Sequence, residues 1–254
     1  MSSDAFRYLF VKHSKGWNVD RCSLWMQANA LAVDWCYPTD GQPFPDPARY
    51  DGVIVFGGAG SANDCGEHDW VREELRFIER TLNIGVPYFG ICLGAQMLAR
   101  VLGARVAPDP DGRAEIGFHR VEPTPEGAAP GASGVPFLAA PLTVMQWHTE
   151  GFELPAGTTR LAASAAFPNQ AFALGDGSAR DGSGERALGV QFHPEVNPEA
   201  LAIWHERNRL RRPGQLSDAE RVSMMADAHR HHASIDAWLD GFLGSWTRRR
   251  RRAA

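Results

Sequence analysis

The clearest candidate for chemistry is a single cysteine between two glycines. Cys92 lies in GICLGAQ, residues 90–96, after an apolar run and before a helix-like pattern. A sharp turn from a strand into a helix exposes a nucleophile, and it needs small residues such as Gly90 and Gly94 where the backbone crowds itself. The helix start also favours a thiolate over a thiol. The pattern therefore predicts a nucleophilic cysteine, and the alternative is an inert cysteine in the core.

A thiol nucleophile needs a base, and His193 is the candidate. It follows the apolar run ALGVQF at the predicted end of a strand, and Pro194 keeps the backbone there extended. Residues two apart in an extended chain point to the same side. We therefore expect Glu195 to hold one ring nitrogen of His193 and to leave the other for Cys92. A strand-end histidine by itself is more often structural, so the prediction depends on all three residues.

Acyl chemistry also creates an oxyanion, which needs donors already in place. The backbone N–H of Leu93, directly after the nucleophile, is one expected donor. Gly58 is the other, since the pair Gly57 and Gly58 follows a predicted strand and glycine lets the backbone approach a ligand closely. An ordinary glycine-rich turn is the alternative for this pair.

Short apolar runs alternate with amphipathic ones in the first part of the chain. The predicted strands are residues 8–13, 52–58 and 86–90, and the predicted helices are residues 18–30 and 67–82. This alternation predicts an α/β fold with a doubly wound, mainly parallel sheet flanked by helices. Further strands are expected at 116–122 and 141–147 and between 169 and 193, with an exposed hairpin tip at 175–186. Strand ends of a parallel sheet meet at one edge, where ligands bind.

The pattern turns helical after Pro198. One helix is expected up to the Pro213-Gly214 break, and a second from a Ser217 cap, with Glu220 three residues on, to about residue 243. We predict a main domain over residues 1–198, a helical extension over 199–254 packed on it with a small additional β element in the fold, and a disordered arginine-rich end at residues 248–252.

One spacing in the second helix could hold a metal. His229 and His232 lie about one turn apart, and Asp236 follows one turn on. A solvated helix face explains the same pattern more simply. We therefore expect no metal and no cofactor.

Composition excludes several classes of function. The chain has 254 residues, of which 44% are hydrophobic, and its formal net charge is −4, so no basic field favours nucleic acid or an anionic membrane. No stretch approaches the roughly 18 apolar residues of a membrane-spanning helix. The four cysteines are too few and too irregular for a disulfide framework. We expect a cytoplasmic protein that acts on a small molecule, alone or with a protein partner.

Together the motifs resemble those of class I glutamine amidotransferases. The resemblance rests on GICLGAQ, on GVQFHPEV at 189–196 and on the strand followed by Gly57-Gly58, in that family's order. It implies a flavodoxin-like fold in which Cys92 attacks the γ-carboxamide of glutamine, His193 moves protons and Glu195 orients His193. It also implies that Gly57, Gln96, His148 and Phe152 bind the substrate. EIGFHRV at 115–121, MQWHTEGFELPAG at 145–157 and NQAFALG at 169–175 are most similar to stand-alone GMP synthase-like members.

The resemblance leaves three functions open. No phosphate-cradling Gly-Lys-Ser/Thr loop follows GVIVFGGAGSAND, so a glutaminase would supply ammonia to a synthetase on a separate chain. The same three residues would serve a hydrolase of γ-glutamyl peptides or γ-glutamyl amines, and a roomy pocket beside Cys92 would favour that function. An inactive regulatory or binding subunit is the third alternative.

Overall fold

The fold is built on one mixed sheet of nine strands in the order β2-β1-β3-β4-β11-β10-β9-β6-β7. The computed structural model describes residues 6–16, 18–130, 136–175 and 185–248. The strands are β1 (Arg7–Val11), β2 (Ala32–Cys36), β3 (Gly52–Val55), β4 (Tyr88–Ile91), β5 (Val106–Pro108), β6 (Glu115–Pro123), β7 (Leu142–His148), β8 (Glu150–Phe152), β9 (Thr159–Ala163), β10 (Ala171–Gly175) and β11 (Glu185–Val190). The helices are α1 (Arg21–Ala28), α2 (Asp69–Asn83), α3 (Leu93–Val101), α4 (Pro125–Ala128), α5 (Pro198–Arg211) and α6 (Asp218–Arg248).

The parallel half of the sheet carries the predicted strand and helix alternation. Strands β2, β1, β3, β4 and β11 all pair in parallel. Every residue of β3 and of β4 is buried, as expected for strands covered on both faces. The apolar residues of α2 and α3 pack in one cluster, and those of α1, α5 and α6 pack in a second. The doubly wound α/β fold is therefore confirmed.

An antiparallel half extends the sheet and bends back toward β11. Strands β10, β9, β6 and β7 are antiparallel to their neighbours. After β11 the chain no longer pairs with β10 but contacts β7 instead. The N–H of His193 donates to the carbonyl of Met145 on β7 at 2.8 Å. The backbone of His193 is thus fixed by the far edge of the sheet. The small additional β element is the pair formed by β5 and β8.

The helical extension starts as the sequence predicts and runs further. The Ser217 hydroxyl accepts from the N–H of Glu220 at 3.2 Å, and the Glu220 carboxylate accepts from the N–H of Ser217 at 2.7 Å. Helix α6 does not end near residue 243 but continues to Arg248, because Leu243 and Trp246 extend its buried face. The domain boundary at residue 198 stays a prediction. Residues 176–184 of the hairpin tip expected at 175–186 lie outside the described residues, whereas Gly175 ends β10 and Glu185 begins β11. Of the arginine-rich end expected to be disordered at 248–252, Arg248 instead ends α6, and residues 249–252 lie outside the described residues.

No helix in the described part of the chain combines the length and the apolar character that crossing a membrane requires.

Candidate active site

Cys92 occupies a strained turn between β4 and α3. Its φ of 51° and ψ of −104° lie in a region that residues other than glycine rarely adopt, at a cost on the order of 1–3 kcal/mol. Its N–H donates to the carbonyl of Val190 at 2.7 Å, and its carbonyl accepts from the N–H of Gln96 at 2.9 Å. A Cβ on Gly90 would lie 2.6 Å from the Gly94 carbonyl, and one on Gly94 would lie 2.3 Å from the Val55 oxygen. Both flanking glycines are therefore required by packing.

His193 and Glu195 form a buried pair beside this turn. Nδ1 of His193 lies 2.8 Å from Oε1 of Glu195, and both side chains are buried. Burial lowers the pKa of His193, but the charge of Glu195, the charge of Cys92 and hydrogen bonds to both residues outweigh it and raise the pKa from 6.5 to about 10. The imidazolium is therefore the favoured form of His193, next to the sulfur of Cys92.

The loop after β3 packs directly on the Cys92–His193 pair. A Cβ on Gly57 would lie 2.6 Å from Cε1 of His193 and 3.4 Å from Cβ of Cys92, so any side chain there would displace the imidazole. Leu93 is the first residue of α3, and the first N–H groups of a helix lack a partner within the helix. The two expected oxyanion donors, the N–H groups of Gly58 and Leu93, thus belong to segments that adjoin Cys92.

An open cavity of about 550 Å³ lies over the pair. Among the residues singled out from the sequence, it is lined by Gly57, Gly58, Cys92, Gln96, His148 and His193. Leu93 and Glu195 are buried behind it. The structure does not bring Phe152 to the cavity, because this side chain is buried against Phe172, with ring centroids 5.0 Å apart. These contacts favour a core role for Phe152.

Gln96 and His148 reach the cavity but are tied to its wall. Nε2 of Gln96 donates to the carbonyl of Glu150 at 3.0 Å and to Oε1 of Gln191 at 3.3 Å. Nδ1 of His148 bonds the same Glu150 carbonyl at 3.0 Å, and its Nε2 lies 3.1 Å from a Glu115 carboxylate oxygen. Since both ring nitrogens have partners within the protein, His148 forms part of the cavity wall and has no ring nitrogen left to bind a substrate.

Comparison with known proteins identifies the family. The model of the glutamine amidotransferase class-I family matches residues 14–208, which is more than half of the chain. The chain belongs to the class I glutamine amidotransferase family. A glutamine amidotransferase from Thermotoga maritima has a crystal structure that superposes with a TM-score of 0.81 at 27% identity, covering 95% of this chain and 98% of that one.

Its relatives by sequence differ in their named activities. A putative glutamine amidotransferase-like protein of Salmonella typhimurium is 28% identical and covers 80% of this chain and 82% of the relative. Gamma-glutamyl peptidase 5 of Arabidopsis thaliana is 29% identical over 64% of this chain and 61% of that protein. A GMP synthase of Vibrio atlanticus is 32% identical over 58% of this chain, a match that spans 24% of that enzyme.

One side chain that contacts Cys92, Gln191, was not indicated by the sequence motifs. Nε2 of Gln191 donates to Sγ of Cys92 at 3.6 Å. Gln191 precedes His193 by two residues, so the same period that linked His193 to Glu195 could have found it. His13 is a second residue that the motifs did not indicate, and no spacing in the sequence relates it to the site. Its Nδ1 bonds the carbonyl of Gly57 at 3.1 Å, and its Nε2 lies 2.9 Å from a Glu74 carboxylate oxygen.

A third omission is Arg21, which joins the His193–Glu195 segment to α6. Its backbone N–H donates to the carbonyl of Glu195 at 2.8 Å, and its guanidinium donates to the carbonyl of Val196 and to Asp236. It also lies 2.8 Å from Nδ1 of His232. Two of the three residues whose spacing could hold a metal, His232 and Asp236, therefore bind an arginine. No group of three or more side chains suited to a metal occurs within the described ranges.

Proposed function

We propose that this protein is a cysteine-dependent amidohydrolase that cleaves the γ-amide of a glutamyl substrate through a thioester on Cys92. One observation carries the proposal: a cysteine held at φ 51° lies beside a buried imidazole whose Nδ1 is 2.8 Å from the carboxylate of Glu195. Strain of this kind persists where a fixed side-chain direction is needed. Family membership supports the same chemistry.

The first half of the reaction transfers the glutamyl group to sulfur. Sγ of Cys92 attacks the γ-carbonyl carbon, and the N–H groups of Leu93 and Gly58 stabilise the oxyanion that forms. The imidazolium of His193 then gives its proton to the leaving nitrogen, and the C–N bond breaks. The products of this half are a γ-glutamyl thioester and a free amine or ammonia.

The second half releases glutamate. His193, now neutral, takes a proton from a water molecule that attacks the thioester carbonyl, and the C–S bond breaks to restore Cys92. Glu195 accepts a hydrogen bond from Nδ1 of His193 and holds the ring so that the other nitrogen faces the reacting atoms. In this proposal Gln96 and the backbone around Glu150 hold the amino-acid end of the glutamyl group.

Glutamine is the simplest substrate that this chemistry accepts. Ammonia would then pass to a synthetase on a separate chain. The similarity to a GMP synthase supports this candidate, since the match covers about a quarter of an enzyme named as glutamine-hydrolysing.

The cavity favours a second candidate, a γ-glutamyl compound with a larger leaving group. Its volume of about 550 Å³ falls within the range of roughly 300–1,000 Å³ that holds drug-sized ligands. Ammonia as a leaving group needs no such space. The similarity to a gamma-glutamyl peptidase also supports this candidate.

Glutamate release tests the shared chemistry. We expect the wild-type protein to hydrolyse glutamine or a γ-glutamyl amide, and Cys92→Ala to lose on the order of 10³-fold or more in rate, because no nucleophile remains. Cys65→Ala is the matched control, since Cys65 lies outside the cavity lining and should keep full activity. Mass spectrometry of the acid-quenched wild type should show the glutamyl adduct on Cys92. Equal glutamate release by Cys92→Ala and wild type would contradict the proposal.

A further inference from the structure

One face of α5 forms a wall of the cavity over Cys92. Trp204, Arg207, Asn208 and Arg211 line the cavity, and their spacing of three, four and seven residues places them on one side of the helix. Arg212, directly after the helix, also lines it. The wall therefore presents cationic side chains to a substrate.

The cations of this wall have no carboxylate partner among the described residues. Arg207 donates to the Ser14 hydroxyl at 3.0 Å and to the carbonyl of Lys15 at 2.5 Å, which are both neutral. Burial and the neighbouring charge of Arg211 both lower the pKa of Arg207, so the two guanidinium groups lie close enough to repel. The Glu206 carboxylate pairs with Arg209, which does not line the cavity.

The acidic side chains that line the cavity come from other elements. Glu150 of β8 accepts a hydrogen bond from the Ser61 hydroxyl at 2.8 Å, and Asp64 accepts one from the Ser61 N–H at 2.8 Å. The carbonyl of Glu150 is also held by Gln96. This region therefore suits the α-ammonium group of a glutamyl substrate, whereas α5 suits an anion.

The position of His193 decides which part of the substrate meets α5. Its ring packs edge-on against Trp204, with centroids 4.9 Å apart and planes at 90°. Since His193 protonates the leaving nitrogen, that nitrogen must lie within hydrogen-bond reach of the ring. A substituent on the leaving nitrogen then extends along the face of α5 that begins with Trp204.

From this arrangement we infer that the substrate is a γ-glutamyl amide whose leaving amine carries a carboxylate, and that Arg207 and Arg211 bind this carboxylate. The leaving group is thus an amino acid or a short peptide. The inference rests on the proposed function. The reaction needs no reactant other than water. The γ-amide C–N bond breaks, the amine leaves with the proton from His193, and water then cleaves the C–S bond of the thioester to release glutamate.

A matched pair of substrates tests the inference. γ-Glutamylglycine and γ-glutamylglycinamide have the same size and differ only in the charge of the leaving group. We expect wild-type kcat/KM to be about tenfold or more higher for γ-glutamylglycine, because an arginine–carboxylate hydrogen bond is charge-assisted. Arg211→Gln and the double variant Arg211→Gln with Arg212→Gln should reduce this ratio toward one. The fall in the ratio should come from a lower kcat/KM for γ-glutamylglycine.

Arg209→Gln is the control on the same helix. Arg209 is exposed and pairs with Glu206 and Asp218, so its removal should keep the wild-type ratio. The inference is wrong if the wild type does not prefer γ-glutamylglycine, or if Arg211→Gln slows both compounds equally. Cys92-dependent hydrolysis of glutamine without that preference would overturn the substrate class and leave the proposed function intact. Absence of any Cys92-dependent hydrolysis would overturn both.

Discussion

His193 gains its chemical character from its two neighbours at the centre of the site. The carboxylate of Glu195 and the sulfur of Cys92 raise its pKa to about 10 against the effect of burial. A folded-state pKa above the ordinary 6.5 stabilises the folded protein fully below pH 6.5, and this contribution is lost as pH rises through about 10. Over the neutral range the imidazolium is therefore the favoured form of His193, as the proposed proton transfer to the leaving nitrogen requires.

The roles proposed for His193 and Glu195 predict that their alanine variants lose activity to different extents. His193→Ala should slow thioester formation more than Glu195→Ala, because the first removes the proton carrier and the second only its support. Rapid quenching followed by mass spectrometry measures that step.

A pH profile of the same residues separates charge from packing. Glu195→Gln should move the basic limb of kcat/KM to lower pH by about one unit or more, since the pKa of His193 loses its largest raising cause. An unmoved basic limb, or a greater loss in Glu195→Ala than in His193→Ala, would contradict these roles.

Local spacing in the sequence was sufficient to indicate the central residues of the candidate site. The glycines around Cys92 and the two-residue step from His193 to Glu195 are readable in single short stretches. The contacts of His13 are not, because its partners Gly57 and Glu74 lie 44 and 61 residues away. Phe152 was expected at the substrate only from the family resemblance, whereas alternation on β8 sends its side chain into the core.

Among the elements, the loop after β3 has its own support from β1 and α2. His13 follows β1, its Nδ1 bonds the Gly57 carbonyl, and Glu74 on α2 holds the other ring nitrogen. Burial lowers the pKa of His13, but Glu74 and the carbonyl outweigh it and raise it. In a planar trans peptide the carbonyl of Gly57 and the N–H of Gly58 point in opposite directions. Fixing the carbonyl at His13 therefore turns the proposed oxyanion donor away from His13.

The contacts of His13 and Glu74 with this loop predict that their loss lowers kcat with little change in KM. Glu74→Gln should lower kcat by about tenfold or more, below the roughly 10²–10³-fold loss seen when an oxyanion donor is removed outright. Oxyanion contacts strengthen only in the transition state, so KM should stay within about twofold. Glu73→Gln is the control, since Glu73 lies on the same helix and is half-exposed in its pair with Arg76. A rise in KM with unchanged kcat would contradict this role.

The elements that the sequence predicted best are the strands buried on both faces and the helices with a clearly apolar face. Strands β3 and β4 and helices α2 and α3 gave uninterrupted apolar runs or clear helical spacing. Strand β2, with the sequence AVDWC, was missed because it lies at the edge of the sheet, where four of its five residues are only partly buried. The strands β5 and β8 have three residues each, too few for a period to show.

At the scale of the whole molecule, α6 packs against β1 and connects through Arg21 to the segment that carries Glu195. Trp246 near its end contacts Tyr8 of β1, with ring centroids 5.7 Å apart, and Asp236 binds Arg21. The second contact joins residues 215 positions apart, so no local pattern could indicate it. Through Arg21 the last helix reaches the carbonyls of Pro194 and Val196, on either side of Glu195.

Arg21 should therefore couple stability to activity. Its side chain is 5% exposed, and removing one partner of a buried, hydrogen-bonded charge pair costs about 3–5 kcal/mol. Asp236 is 44% exposed, so solvent screening reduces that figure, and we expect Arg21→Gln to lower the free energy of unfolding by about 2 kcal/mol. Arg21→Lys should restore little, because an ammonium group cannot reach the carbonyls, Asp236 and His232 together. Urea unfolding measures the effect, with Arg230→Gln as the control on the exposed pair with Asp227.

The activity of the same variants decides whether α6 positions Glu195 or only stabilises the fold. If Arg21 holds the segment on either side of Glu195, Arg21→Gln should lower kcat at a temperature where the variant is fully folded, and should shift the basic limb of kcat/KM as Glu195→Gln does. Asp236→Asn should show a smaller change in the same direction, since the carbonyl contacts of Arg21 remain. A destabilised but fully active Arg21→Gln with an unchanged pH profile would restrict Arg21 to stability.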